Sequence, residues 1–294
     1  MMSDARVMLA VPTFRAAALI GPTIASALAQ THERLQIVVI DNCSDDNTVA
    51  IVEEAAQRHH CGDRLGVIRH DTNVGRIANW NRCLDLFAAS NDDYLKFLFA
   101  GDRLHPECIA ELAHAATASR AVLASSAYEI VADDSAQTAA HLDGDRVLSP
   151  AEALTESVRH GNWFGAPSAL LVSHSAAEGL RFSDDFGWAG DWKFCLDVCM
   201  QGPSVWRKRT LATVDLASRR FYQERATRFA SRLEDAWMRY YALERLRQID
   251  PAPAAGDDLE RELEQSVKQT LMNRRDLIDV TAAKFVHRLQ EAMR

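Results

Sequence analysis

"RVMLAVPTFRAAALIGPTIASALAQTHERLQIVVIDN", residues 6–42, sets two short apolar runs, 6–12 and 35–42, on either side of a stretch of about 19 to 30 with helical spacing. Each run stops at turn-forming residues, and the second is rich in β-branched side chains, as strands are. The pattern repeats outward: "LGVIRH" (65–70) and "YLKFLFAGD" (94–102) read as further strands, with helices over 47–59 and 75–89 between them. Strands alternating with helices of this length predict βαβ crossovers and an α/β fold. Its central sheet is Rossmann-like and mostly parallel, flanked by helices.

In such sheets ligands gather at the carboxyl ends of the strands. That rule selects "PTF" (12–14), "DNCSDDNT" (41–48), "HDTNVG" (70–75) and "AGDRL" (100–104). It demotes the acidic pair Asp92-Asp93, which precedes its strand and belongs to the opposite rim. The rim offers Phe14 as a stacking surface, Asp41 as an acceptor for a base or ribose, and Asn73 with Gly75 at a helix N-terminus suited to anions. Asp102 offers a hard oxygen ligand. No G-x-G-x-x-G and no G-x-x-x-x-G-K-[ST] is present, so the common dinucleotide and P-loop sites are absent.

The second half is less regular. "AVLASSAYEIV" (121–131) reads as a strand, 132–148 as a hairpin or loop, and "PSALLVSH" (167–174) as another strand. Ser149, Pro150 and Glu152 form a helix-start signature. Residues 190–202 read as an amphipathic helix, and the chain turns helical from about 227, with a break at "DPAPAAGDD" (250–258).

The 294 residues allow one large domain or a domain with an appendage; 48% are hydrophobic and 25% charged, as in ordinary globular proteins. The net charge of −8 argues against nucleic acid as a partner. No apolar run reaches the length of a membrane span, and the N-terminus reads as a first strand, so the expected location is the cytoplasm, free or at the inner face of the membrane. Six cysteines without a CxxC pair read as reduced, mostly buried thiols.

Five segments carry a resemblance: "VPTFRAAALIGPTIASALAQT", "IVVIDNCSDDNT", "NVGRIANWNRCLDLF", "YLKFLFAGDRLHP" and "FGWAGDWKFCLDVCMQG". In order and spacing they resemble family 2 glycosyltransferases, which have the GT-A fold. The likeness divides the chain into a domain over 1–228, with a nucleotide-binding half (1–120) and an acceptor-binding half (121–228), and a helical C-terminal extension over 229–294. It implies inverting transfer of a sugar from a nucleotide sugar, UDP- or dTDP-linked for preference, to a glycan or lipid-linked acceptor. Biosynthesis of a bacterial surface polysaccharide or glycoconjugate is the implied setting.

Pro12, Thr13, Phe14 and Asp41 match the segment that holds the base, and Asn73 and Gly75 the family's Asn-x-Gly beside the nucleotide. Arg76 adds a diphosphate contact. Where the family ends its strand in Asp-Asp or Asp-x-Asp, Gly101 replaces the earlier acid and Asp102 keeps the later one, which the resemblance makes the expected ligand of a divalent ion, Mg²⁺ or Mn²⁺. Restoring a carboxylate at Gly101 is then expected to tighten metal-dependent nucleotide binding. Asp191, in "AGDWKF", takes the family's position of the base that deprotonates the acceptor hydroxyl; without that register it reads first as the N-terminal cap of the helix that follows. Trp188 and Trp192 flank it and either stack on an acceptor sugar or pack. Asp184 and Asp185 are rival carboxylates, read as loop residues.

Family members often carry Arg-x-His in the segment matching "SRRFYQERATRF"; Arg220 keeps the Arg as a nucleotide contact, while Tyr222 stands at the His position. Between 203 and 232, eight Lys or Arg face two acids, an excess suited to a diphosphate or an anionic membrane surface. The C-terminal helices are amphipathic and expected to pack on the domain or on a second subunit. Gly101, Gly190 and Tyr222 support a rival reading, a non-catalytic nucleotide-binding or scaffold protein. Another, a sugar-phosphate nucleotidyltransferase, lacks its Gly-rich basic loop after the first strand.

Overall fold

The computed structural model describes residues 4–132, 135–216, 225–250, 258–261 and 263–265. Arg220 and Tyr222, and the last predicted helix beyond 265, lie outside the described residues.

The opening stretch folds as β1 (Val7–Thr13), α1 (Ile20–Leu28) and β2 (Leu35–Asp41), followed by α2 (Thr48–Arg58), β3 (Leu65–Arg69), α3 (Arg76–Ala88) and β4 (Tyr94–Phe97). The four strands are parallel, in the order β3-β2-β1-β4. Their side chains alternate between two buried faces. Val7, Leu9 and Val11 of β1 join Ile37 and Val39 of β2 under α1 and α2, while Met8, Ala10, Val38 and Ile40 face α3. Burial on both sides is why these strands read as unbroken apolar runs rather than as alternating ones.

The chain continues as β5 (Arg103–Leu104), α4 (Cys108–Ser119), β6 (Leu123–Ala132), β7 (Ser135–Ala139), β8 (Arg146–Leu148), α5 (Pro150–His160), β9 (Leu170–Ser173), α6 (His174–Ala177), α7 (Gly190–Cys199), β10 (Ser204–Asp215) and α8 (Arg225–Ile249). The sheet extends past β4 as β9-β6-β10-β5, with β7 beside β6 and β8 beside β10. The predicted helix start at Ser149 is a full capping box, with the Ser149 hydroxyl on the Glu152 amide and the Glu152 carboxylate on the Ser149 amide. Helix α8 is not a loose appendage: Leu233, Met238, Leu243 and Leu246 are buried in the same core as α3, α5 and α7.

The short β5 and α6 escape the sequence pattern, and so do two larger elements. Helix α4 fills the connection between β5 and β6, and β10, the longest strand, runs parallel to β6 through a break in register between Arg207 and Ala212. Its "RKR" centre hides the strand signal, because the bulge turns those charges out of the sheet. The opposite-rim placement of Asp93 holds: its carboxylate accepts from the Arg6 amide, at the start of β1 (2.8 Å). Cys195 and Cys199 are buried packing residues of α7.

Candidate active site

Strand order reverses between β1 and β4, since β2 lies on one side of β1 and β4 on the other. At that switch point the carboxyl ends diverge and leave a crevice. A cavity of about 1010 Å³ opens there, large enough for a nucleoside diphosphate sugar. Its donor-side wall is Pro12, Thr13, Phe14 and Arg15 from the end of β1, Arg76 and Trp80 from α3, and Phe99 and Ala100 beyond β4. The opposite wall is Tyr128, Asn162 and Gly165, then Gly187, Trp188, Asp191, Trp192 and Asp235. Seven of the predicted site residues thus meet in one cavity: Pro12, Thr13, Phe14, Arg76, Trp188, Asp191 and Trp192.

The turn after β1 is held from below. Arg15 sits at φ 47°, a left-handed conformation uncommon for a residue with a side chain. Three successive amides fix it: Arg15 N–H donates to Ser44 Oγ (2.9 Å), Ala16 N–H to Thr48 Oγ1 (2.8 Å) and Ala17 N–H to the Asp46 carboxylate (3.1 Å). Burial pushes the Asp46 carboxyl up, but hydrogen bonds from Thr48 and Ala17 outweigh it and hold the group below the usual range. The result is to present Phe14, 40% exposed, as a flat face over the crevice.

Asp41 is placed differently from the expectation. It pairs in register with Thr13, but its carboxylate is fully buried and accepts from the Ser44 amide (2.9 Å) and hydroxyl (2.5 Å), with Arg69 at 3.4 Å. It braces the rim and does not line the cavity. Asn73 and Gly75 also stand behind the wall. The Asn73 side-chain carbonyl accepts from Asn42 Nδ2 and from the Gly75 amide, both at 2.9 Å, and Gly75, at φ 87°, turns the chain into α3. Asn42, which the sequence did not single out, ties this turn to β1 through its amide on the Thr13 carbonyl (2.9 Å).

Gly101 and Asp102 are corrected most. The short strand β5 pairs antiparallel with β10, which draws the preceding residues beneath the edge of the sheet. Asp102 is fully buried; its Oδ2 accepts from Ser168 Oγ (2.6 Å) and its Oδ1 from the Asp215 amide (3.1 Å). The Ser168 carbonyl in turn accepts from Nζ of Lys96, also fully buried. Desolvation lowers the Lys96 ammonium to a pKa of about 8, against the opposing pull of Cys108 and Asp102. Gly101 has φ 98° and its amide donates to the buried Thr23 hydroxyl (3.0 Å). Where the family's carboxylates were expected at the crevice, the wall is instead Phe99 and Ala100.

A divalent ion therefore lacks a ligand set among the described residues. No three His, Cys, Asp or Glu side chains cluster there, and Asp102 has both oxygens engaged inside the protein. The described residues do not fit a bound Mg²⁺ or Mn²⁺. Two guanidinium groups stand on this wall among the described residues: Arg15, paired with Asp45, and Arg76, which lies 5.1 Å over the Trp80 ring and donates to the Gly187 carbonyl (2.9 Å). Trp80 stacks on Phe99 at 4.8 Å, so it belongs to the site and not only to the core.

Asp191 occupies the first turn of α7, half buried, with Oδ1 accepting from the Trp192 amide (2.8 Å). It is not the helix cap, a position held by Ala189. Trp188 is 39% exposed, whereas Trp192 is 3% exposed. The Thr13 hydroxyl and the Trp192 indole N–H, both on cavity-lining residues, are buried without a hydrogen-bond partner among the described residues. Orphaned polar atoms of this kind are costly unless a ligand satisfies them. Asp184 and Asp185 do not line the cavity.

Known proteins fit this geometry. The structure of S. aureus TarS 1-349 in complex with UDP superposes with a TM-score of 0.61 at 14% identity, over 83% of this chain and 70% of that one. The mannosyltransferase PcManGT from Pyrobaculum calidifontis, in complex with GDP-Man and Mn²⁺, superposes at 0.61 and 15% identity, over 98% and 80%. Both show that this chain has the GT-A fold. An uncharacterized protein of Mycobacterium tuberculosis (strain CDC 1551 / Oshkosh) is 28% identical over 178 residues, 57% of this chain. The chain spans about half of that relative, 53% of its length. The family model for glycosyl transferase family 2 matches residues 8–179, more than half of the sequence, and the chain belongs to that family.

Proposed function

We propose that the chain transfers a sugar from a nucleoside diphosphate sugar to an acceptor hydroxyl with inversion, using Asp191 as the base. One observation carries this reading: a carboxylate on the first turn of α7 shares one cavity with the rim of β1, the place where nucleotides bind in open α/β sheets. Phe14 stacks on the base and Thr13 hydrogen-bonds the nucleoside. Arg76, an exposed cation held over Trp80 and on the Gly187 carbonyl, stabilises the departing diphosphate. Asp191 takes the acceptor proton from the far side as the hydroxyl attacks the anomeric carbon. Trp188 stacks on the acceptor, and the unpaired Trp192 N–H donates to one of its oxygens. The donor site then belongs to residues 1–120 and most of the acceptor site to 121–228.

The TarS and PcManGT structures hold UDP and GDP-Man respectively, which makes nucleoside diphosphates the probes to use. Because the described residues do not fit a divalent ion, no step is routed through one. Calorimetric titration with UDP, dTDP and GDP, each in Mn²⁺ and in EDTA, is expected to show one nucleotide binding in both buffers. Binding that vanishes in EDTA overturns the metal-free donor site. Asp191→Asn is expected to abolish transfer, by a factor of ~10² or more, with nucleotide affinity retained; an active Asn variant sinks the base assignment. The departure of Asp102 from the crevice favours a second reading, nucleotide binding without transfer, and failure of the wild type to turn over any donor would select it.

A further inference from the structure

We infer that Glu234, on the C-terminal helix α8, is the positioning residue that sets Asp191 in place; this rests on the reading of Asp191 as the base. Glu234 is 1% exposed. Its Oε1 accepts from the Gly187 amide (3.0 Å), and its Oε2 from the amides of Trp188 (2.8 Å) and Ala189 (2.8 Å). These are three successive amides, and the next residue, Gly190, opens α7. No side chain of α7's own leading segment caps that helix. A carboxylate from a helix 45 residues further along the chain satisfies the approach instead.

The same loop is gripped from the donor side, since Arg76 donates to the Gly187 carbonyl (2.9 Å). One peptide segment is thus fixed between a residue of the donor wall and a residue of α8, and Asp191 follows it by two positions in a rigid helical turn. Asp235, next to Glu234, lines the cavity, so α8 contributes both a wall and the support behind it. Displacing a base by about 1 Å can cost on the order of a hundredfold in rate, because proton abstraction depends on a narrow range of distances and angles. Three hydrogen bonds to consecutive amides remove that freedom.

Glu234→Gln tests this with little change in shape. With its carbonyl at the Oε2 position, the Gln amide group faces the Gly187 N–H, donor against donor, and the loop loses one of its three anchors. The expected result is a kcat lowered about tenfold to a hundredfold, donor KM and nucleotide Kd within about twofold of wild type, and no further loss when the change is added to Asp191→Asn. Glu234→Asp, whose side chain is too short to span all three amides, is expected to fall in the same direction. A wild-type kcat in both variants overturns the proposal. So do parallel losses of kcat and nucleotide affinity, an unfolded Gln variant, or additivity with Asp191→Asn, each of which marks a purely structural residue. Activity in Asp191→Asn itself condemns the base assignment instead, which separates the two failures.

Discussion

Asp102 shows how a residue matching a motif takes on another task when its surroundings change. Buried beside Ser168 and the Asp215 amide, with Lys96 on the carbonyl of the same serine, its carboxylate is spent inside the protein. Removing it leaves the Ser168 hydroxyl and the Asp215 amide without that acceptor, at a cost of about 1–3 kcal/mol for each buried group left unsatisfied. Asp102→Ala is therefore expected to lower the melting temperature sharply while the EDTA response of nucleotide binding stays as in wild type. A loss of metal-dependent binding without a loss of stability contradicts that role. Lys96 makes a second test at the same scale. Its pKa of about 8 in the folded protein is below the ordinary 10.5, so the unfolded chain binds more protons between those values and stability rises with pH across that window. Below pH 8 the full cost of holding the charge inside, ~3 kcal/mol, is present. Lys96→Met should abolish the part of the stability gain that wild type shows from pH 8 to 10.5, measured by thermal or urea unfolding. Equal slopes in the two proteins reject the assignment.

At the scale of elements, the strands of the first half were legible because parallel β1, β2, β3 and β4 are apolar on both faces, and the capping box at Ser149 announced α5 by its residues alone. The crevice was legible where it follows directly from a strand end, as at Pro12, Thr13 and Phe14, which line it. It was not legible where a partner from far along the chain decides. Nothing in "FLFAGDRLHP" reveals that two residues, 103 and 104, will pair with β10 and carry Asp102 away from the crevice, and β10 itself is masked by Arg207, Lys208 and Arg209. Asn42 and Glu234 were missed for a like reason: each acts on backbone amides, which leave no pattern of residue types. The turn between β4 and β5 supplies a prediction. Gly101 adopts φ 98°, a region that costs other residues about 1–3 kcal/mol. Gly101→Asp is expected to lower thermal stability and leave nucleotide affinity unchanged, against the expectation that it would rebuild a metal site; tighter binding in Mn²⁺ decides the other way.

Across the whole molecule, the described residues contain no helix long and apolar enough to cross a membrane, and the site is assembled from both halves of the sheet together with α8. The family match ends at residue 179, so Asp191, β10 and α8 lie beyond it. The placement of β10 also has a consequence for how the chain reaches this state. Asp102 and the amide that completes its environment are 113 residues apart in sequence, and β5 has β10 as its strand partner. During synthesis the first four strands can pair as they emerge, but the rim at β5 stays open until residues 204–215 have been made. Closure over such a span is slow, and an unpaired edge invites other chains in the meantime. The crevice is thus among the last parts of the fold to form, and a nascent chain halted before β10 exposes an edge that chaperones would have to cover.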